Sequence, residues 1–124
     1  LLGSGHPNLV PYQAFQTSDG WVVIAVGSDS QFEKLSQFLD FDNVWPTNEL
    51  RVNSRKEVVD MVQSKVIEMT KSRVCEMLAG IPTSPINKIS EALADAQSVA
   101  RGVVTEWNGQ SVLASPLRFI SERE

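Results

Sequence analysis

The sequence lacks the residues that a metal centre or a disulfide framework requires. Its 124 residues include one cysteine, Cys75, and one histidine, His6. A lone cysteine cannot form an intramolecular disulfide, and one cysteine with one histidine supplies too few ligands for a closed zinc site. We therefore expect no disulfide within the chain and no metal site.

Long apolar runs and clustered basic residues are also lacking. The longest strongly apolar run, Trp21 to Val26, has the length of a strand, whereas a membrane-spanning helix needs about 20 residues. The first residues lack the basic-then-apolar order of a signal peptide. The 11 Lys and Arg are scattered among 15 Asp and Glu, whereas nucleic-acid binding needs a basic patch. We expect a soluble, cytoplasmic protein that binds neither membranes nor nucleic acid.

Two hairpins are predicted, one near each end of the chain. Strands at 12–17 and 21–26 flank a Ser-Asp-Gly turn, in which the glycine can adopt a positive φ. The second strand is apolar throughout, which predicts that both of its faces are covered. Toward the C-terminus, segments 103–107 and 110–115 flank an Asn-Gly pair, a strong hairpin signal. We expect Trp107, beside that turn, to be partly buried.

Helices are predicted between the hairpins. Ser28 or Asp29 is expected to cap the first, whose apolar face carries Phe32, Leu35 and Phe38. A second helix is expected to start after a capping box at Ser54 and to run to about Met69, with Val58, Val62 and Val66 facing inward. A third is expected to be capped by Thr70 and to stop at Gly80, with Cys75 in the core. Two short helices are expected after these, one capped by Ser90 and running through Leu93, the other within 95–102.

The remaining segments are expected to be irregular. Residues 40–53, with one proline and three asparagines, predict a connection, and residues 81–87, with two prolines, predict an extended or turned segment. The charged tail from Pro116 is expected to fray. The order hairpin, helices, hairpin predicts a single α+β domain over residues 1–124. In it both hairpins form one small antiparallel sheet, with the intervening helices packed on it in a second layer.

No familiar catalytic signature is present: the sequence has no Gly-rich dinucleotide loop, phosphate loop or nucleophile elbow. Several strings nevertheless resemble the class III CoA-transferases, which include formyl-CoA, carnitine and dicarboxylate CoA-transferases and acyl-CoA racemases. The strings are Gly3-Ser4-Gly5-His6-Pro7, Pro11-Tyr12-Gln13-Ala14-Phe15, Asp19-Gly20, Gly27-Ser28-Asp29-Ser30-Gln31-Phe32, Arg51-Val52-Asn53-Ser54-Arg55, Gly80-Ile81-Pro82-Thr83-Ser84-Pro85-Ile86-Asn87 and Asp95-Ala96-Gln97 before Arg101-Gly102. They occur in the family's order, at about its spacings, over almost the whole chain.

The resemblance implies that this chain is the small domain of such an enzyme. In that family an aspartate of the large domain attacks the acyl-CoA thioester, and the resulting anhydride passes CoA to a new carboxylate. Nothing similar to that aspartate motif occurs here, so the resemblance implies no catalytic residue in this chain, which is expected to be inactive alone. The implied partners are the large domain, the acyl-CoA and carboxylate substrates, and a second subunit in a homodimer. Coenzyme A thioester is implied as a substrate, with no tightly bound cofactor.

The resemblance also implies where substrates lie. Gly3, Ser4, Gly5 and His6 match a mobile loop that closes over the active site, where glycines permit close approach and closure keeps water from the anhydride. A flexible linker is the alternative. His6 is expected either to reach a carboxylate substrate or to form hydrogen bonds within a turn. The other residues placed near substrate by the resemblance are Tyr12, Gln13, Asp29, Gln31, Pro82 and Pro85.

Each of these residues also has a purely structural interpretation. Tyr12 and Gln13 could simply pack in a strand. Asp29 could cap a helix beside a solvated Gln31, although racemase relatives have an acid/base carboxylate near this position and transferases resemble the present string. The two prolines could only end one helix and lead to the next. Two functional alternatives stay open: an acyl-CoA racemase or epimerase of the same family, and a non-enzymatic binding or assembly module, which the upstream reading frame would distinguish.

Overall fold

A computed structural model of the chain describes residues 3–117, which divide into two compact units with the boundary in the chain between Ile86 and Asn87. The strands are β1 Tyr12–Thr17, β2 Gly20–Ala25, β3 Thr83–Ile86, β4 Val104–Trp107 and β5 Gln110–Leu113. The helices are α1 Asp29–Leu39, α2 Asn48–Asn53, α3 Arg55–Val66, α4 Lys71–Met77, α5 Ile89–Ala94 and α6 Ala96–Ala100. The α+β class is confirmed, and the extent of one domain over 1–124 stays a prediction.

The first unit is built on a three-stranded antiparallel sheet with β2 at its centre. The predicted N-terminal hairpin is confirmed, and Phe15 of β1 lies opposite Val22 of β2. On this face Phe15, Val22 and Ile24 are completely buried. Helical residues complete the core: Phe32, Leu35 and Leu39 of α1, Val58, Val62 and Val66 of α3, and Val74 of α4. Each such side chain contributes about 1.5–3 kcal/mol by its burial, so this layer holds the unit together.

The other face of β2 is open among the described residues, contrary to the prediction of cover on both faces. Trp21 is 47% exposed and Val23 is half-buried. Alternate residues of a strand point to opposite faces, and the helices bury the face that carries Val22 and Ile24. Phe38 was also expected in the core, yet it is 43% exposed because it lies beyond the buried stripe of α1.

Residues 40–53 are not a simple connection, because α2 lies within them. The Thr47 hydroxyl accepts a hydrogen bond from the Leu50 amide at 3.4 Å and caps this helix. The predicted capping box at Ser54 is wrong: the Ser54 side chain makes no capping hydrogen bond. Ser54 ends α2, and its own amide donates to the carbonyl of Leu50, so its backbone is not extended as a capping residue requires. Helix α3 ends at Val66, three residues before the predicted end.

The proline-containing segment 81–87 includes the third strand, which was not predicted from the sequence. In β3, Pro85 lies opposite Val22 of β2, and the carbonyl of Pro82 accepts a hydrogen bond from the Ala25 amide at 2.9 Å. Proline is tolerated here because β3 is an edge strand, where a missing N–H need not face a partner.

The second unit contains α5, α6 and a separate two-stranded sheet of β4 and β5. The predicted Asn-Gly hairpin is confirmed, with positive φ at both Asn108 (51°) and Gly109 (76°), as such a turn requires. The prediction of a single sheet shared by both hairpins is wrong. Strand β2 has β1 on one side and β3 on the other, so no edge of it is left for the C-terminal hairpin.

Side chains of the second unit are largely exposed. Trp107 is 67% exposed, so its predicted partial burial is wrong. Ser90 is not the cap of α5; Lys88 is the capping position, and its amide donates to the Glu91 carboxylate at 2.7 Å. Asp95 caps α6 through the Gln97 amide. Most of the tail that was expected to fray, 118–124, lies outside the described residues.

Candidate functional site

Most of the predicted site residues gather at one end of the three-stranded sheet, where β1 begins and β2 ends. Tyr12 lies opposite Ala25, whose amide donates to the Pro82 carbonyl at 2.9 Å. With neighbouring strands about 4.8 Å apart, Tyr12 and Pro82 are separated by roughly 10 Å across β2. We call this the site end of the sheet.

The segment 3–11, here the N-terminal segment, lies along the edge of β1. The Ser4 hydroxyl accepts from the Ala14 amide at 3.1 Å, and the His6 amide donates to the Tyr12 carbonyl at 2.9 Å. Farther along the same edge, the Gln63 side chain donates to the Gln16 carbonyl and accepts from the Gln16 amide. These bonds satisfy backbone groups that an edge strand otherwise presents to solvent.

The His6 side chain occupies a fixed place at the site end. Its ring stacks on Tyr12, with centroids 5.2 Å apart and planes 19° apart. Its Nδ1 accepts hydrogen bonds from the amides of Asn8 and Leu9, both at 3.1 Å. The turn role expected as one alternative for His6 is therefore present in the structure.

Arg51 lies beneath the N-terminal segment and is almost fully buried, at 1% exposure. Its Nε donates to the Val10 carbonyl at 2.8 Å, and its Nη1 donates to the Trp45 carbonyl at 3.1 Å. Its Nη2 donates to Asp29 Oδ1 at 2.6 Å. The guanidinium carbon also lies 4.5 Å from the centre of the Phe32 ring. One cation therefore joins α1, α2 and the N-terminal segment.

Two further side chains of α2 and α3 hold the same segment. Asn48 donates to the Asn8 carbonyl at 2.7 Å and accepts from the Val10 amide at 3.3 Å. Arg55 donates to the carbonyls of His6 and Pro7 at 3.0 and 2.6 Å. Residues 6–10 are thus anchored from below by three polar side chains.

These anchoring residues were not predicted, although a signal for them exists. Arg51 and Arg55 are four residues apart, a spacing that would place both side chains on one face of an unbroken helix. They lie on two successive helices, α2 and α3, and still reach the same segment. Because residues 40–53 were interpreted as a connection, that spacing carried no weight.

Asp29 and Gln31 do not have the structural roles expected of them, which were helix capping for Asp29 and exposure to solvent for Gln31. Ser28, not Asp29, caps α1, because its hydroxyl accepts from the Gln31 amide at 3.2 Å. Asp29 Oδ1 accepts from Arg51 and from the Asn48 amide at 2.9 Å. The Gln31 side chain is not merely solvated, because its Oε1 accepts from the Gly27 amide at 2.7 Å.

Two predicted residues lie apart from this group. Gln13 is half-buried opposite Ile24, on the face of the sheet away from Tyr12. Pro85 lies farther along β3, opposite Val22. Hydrogen bonds therefore connect His6, Tyr12 and Asp29 through Asn8 and Asn48, whereas Gln13 and Pro85 lie outside this network.

Asp19 and Cys75 are among the side chains of the first unit whose pKa is shifted from the ordinary value. The Lys71 amide donates to Asp19 at 2.7 Å and lowers the pKa of that carboxyl. Burial raises the pKa of the Cys75 thiol, which is half-buried against the core as predicted. Within residues 3–117 no three His, Cys, Asp or Glu side chains gather as a metal site would require. No helix in this range has the length and apolar character needed to cross a bilayer.

Residues 1–123 match the CoA-transferase family III, and the chain belongs to that family. It is 37% identical over 117 residues to the succinyl-CoA:glutarate CoA-transferase of Mus musculus, covering 89% of this chain and 27% of the mouse protein. It is also 37% identical over 122 residues to the succinate–glutarate CoA-transferase of Agrobacterium fabrum, covering 93% and 30%. The family predicted from the sequence strings is thereby confirmed.

Solved structures agree with this assignment. A CAIB/BAIF family protein from Brucella suis superposes with a TM-score of 0.88 at 35% identity, over 94% of this chain and 32% of that protein. Rv3272 from M. tuberculosis, at 18% identity and a TM-score of 0.75, shares the fold alone. The chain spans less than a third of the length of the mouse, Agrobacterium and Brucella proteins.

Proposed function

We propose that this chain is the small domain of an enzyme that moves coenzyme A from an acyl-CoA thioester to a carboxylic acid. The observation that carries the proposal is the family match over residues 1–123, combined with relatives named as CoA-transferases of which the chain spans 27–30%. The nucleophilic aspartate belongs to a large domain that acts together with this chain. The chain itself is inactive in transfer.

In this proposal the N-terminal segment faces the reacting groups. Anchoring by Arg51, Asn48 and Arg55 fixes residues 6–10, so closure takes place around Gly3 and Gly5. Gly3 has a φ of +56°, and a side chain added to it would meet no atom within 4 Å. A positive φ favours glycine, which supports a closing role for this part of the segment.

Dicarboxylic acyl groups are the proposed substrates. The relatives at 37% identity are named for succinate and glutarate. Arg55 binds two carbonyls and pairs with no carboxylate among the described residues, so its positive charge is available to an anionic ligand near His6. Electrostatic attraction of this kind favours carboxylate substrates.

Asp29 does not support the racemase alternative. Its Oδ1 already accepts from Arg51 and from the Asn48 amide. A carboxylate held in this way orients Arg51 and Asn48, which bind the N-terminal segment. An acid/base group must instead exchange protons with the substrate. Release of deuterium from the α-carbon of a labelled 2-methylacyl-CoA, in an enzyme that carries this domain, would contradict this assignment.

A transfer assay with a domain exchange tests the proposal. Residues 1–123 replace the matching part of the Agrobacterium fabrum relative, and CoA transfer from succinyl-CoA to glutarate is measured. We expect transfer by the chimera and none by the isolated chain. Robust thioester exchange by the isolated chain would overturn the proposal, as would an inactive chimera that melts cooperatively and elutes like the parent enzyme.

A further inference from the structure

The hydrogen bonds of His6 define which of its ring nitrogens carries the proton. Nδ1 accepts from the amides of Asn8 and Leu9, both at 3.1 Å. A backbone amide can only donate, so Nδ1 must present a lone pair and be unprotonated. In a neutral imidazole the other nitrogen is then the donor. The backbone of residues 8 and 9 therefore fixes His6 as the Nε2–H tautomer.

The ring is also fixed in orientation. Tyr12 stacks on one of its faces, the His6 amide donates to the Tyr12 carbonyl, and the His6 carbonyl accepts from Arg55. Nε2 has no hydrogen-bond partner among residues 3–117. The contacts of the ring and of Nδ1 fix the direction of Nε2–H, which is therefore an oriented donor available to a ligand.

The backbone of His6 binds a positively charged side chain, Arg55. The Arg55 guanidinium binds the carbonyls of His6 and Pro7 and has no carboxylate partner within the described part of the chain. The nearby Arg51 is paired with Asp29. An anionic oxygen is thus the acceptor that this environment favours, because a hydrogen bond to an ionised acceptor is shorter and stronger than a neutral one.

We infer that His6 Nε2–H binds a carboxylate oxygen of the dicarboxylate substrate. This inference rests on the proposed function and deepens it by assigning a residue to the recognition of the acid. His6 acts as a binding residue and not as a proton shuttle. Protonating Nδ1 would place a proton against two N–H donors and break both turn hydrogen bonds.

The tautomer can be measured directly on the 124-residue chain. Since His6 is the only histidine, a long-range ¹H–¹⁵N correlation spectrum contains one set of imidazole signals and needs no assignment. We expect a pyridine-like Nδ1 and a pyrrole-like Nε2 at pH 7. The opposite tautomer, or averaged nitrogens, would overturn the inference without bearing on CoA transfer.

Two variants separate binding from turn formation. In His6→Asn the amide oxygen lies near the position of Nδ1 and can accept from the Asn8 and Leu9 amides, as in an Asx turn, but no Nε2 donor remains. In His6→Gln the amide reaches the position of Nε2, whereas the turn acceptor is lost.

Titration with millimolar glutarate, against sodium chloride at equal ionic strength, is then followed through the His6 ring and backbone signals. We expect a saturable shift of Nε2 in the parent chain. His6→Asn should weaken glutarate binding about tenfold or more, as for the loss of one hydrogen bond to a charged group, with the melting temperature unchanged. His6→Gln should melt lower and keep part of the binding. Equal glutarate binding by His6→Asn, no Nε2 shift, or the same shift with chloride would overturn the inference, even where the chimera transfers CoA.

Discussion

The buried guanidinium of Arg51 and the carboxylate of Asp29 form an asymmetric ion pair. The donor and acceptor atoms are 2.6 Å apart, yet the Arg51 side chain is 1% exposed and the Asp29 side chain is 56% exposed. The pair also joins α1 to the N-terminal segment, since Arg51 donates to the Val10 carbonyl. The two partners should therefore contribute unequally to stability.

Replacing Arg51 by methionine should lower the free energy of unfolding by roughly 3 kcal/mol, because buried carbonyls lose their donor. Asp29→Asn should cost about 1 kcal/mol or less, because its carboxylate is largely solvated. Urea denaturation measures both. Arg73→Met serves as the control, since Arg73 is exposed and its loss should change stability by less than about 0.5 kcal/mol. Equal costs at Arg51 and Asp29 would contradict the asymmetry.

The two phenylalanines Phe15 and Phe38 should respond very differently to truncation. Phe15 is completely buried and Phe38 is 43% exposed. We expect Phe15→Ala to destabilise the first unit by about 3–5 kcal/mol, the usual cost of emptying a buried aromatic site. Phe38→Ala should cost much less. Denaturant midpoints distinguish the two, and similar midpoints would mean that the buried layer is assigned wrongly.

Asp19 should make stability depend on acidity. Its pKa in the folded chain lies below the ordinary value of 3.8, chiefly because it accepts from the Lys71 amide. A depressed pKa in the folded state adds stability above the unfolded pKa, and this stability is lost as the pH falls through the folded value. Asp19→Asn should therefore melt lower than the parent chain at pH 7, and the difference should shrink below pH 3.8.

Asp42→Asn is the matched control for that series, since Asp42 is exposed and its carboxylate makes no hydrogen bond among the described residues. Its melting temperature should be close to that of the parent chain at pH 7. If the difference in melting temperature between Asp19→Asn and the parent chain stayed the same from pH 7 to below pH 3.8, the proposed link between Asp19 ionisation and stability would be refuted.

Cys75 should react slowly with alkylating reagents at neutral pH. Burial raises its thiol pKa above the ordinary value of 9.0, and the thiolate is the reactive form. The alkylation rate should therefore rise with pH along a curve displaced to higher pH than that of glutathione. Mass spectrometry after iodoacetamide treatment measures the rate. If the rate for Cys75 rose at the same pH as the rate for glutathione, or at a lower pH, the thiol would not be shielded by burial.

Local signals in the sequence were sufficient for part of the fold. The β1–β2 hairpin, the cap of α4 at Thr70 and the Asn-Gly hairpin each depend on residues close together in the chain. Strand β3 could not be recognised in this way. Pro82 just before it and Pro85 within it argue against a strand, and only the position of β3 at a sheet edge makes Pro85 acceptable.

The network beneath the N-terminal segment was hidden for a different reason. Arg51 and Val10 are 41 residues apart, and nothing in local periodicity indicates that such residues meet. Motif order predicted the family because each string is local. The role of Arg51 required the packing of α2 against the segment, which depends on a helix that its own sequence marks only weakly, by Thr47 as a cap.

The paired bonds between Gln63 and Gln16 have a consequence for self-association. A side-chain amide presents the same donor and acceptor as a peptide unit, so Gln63 stands where the backbone of an additional strand would otherwise align. A foreign strand could add to β1 only by displacing that glutamine. The chain thus carries its own block against fibril-like growth along this side.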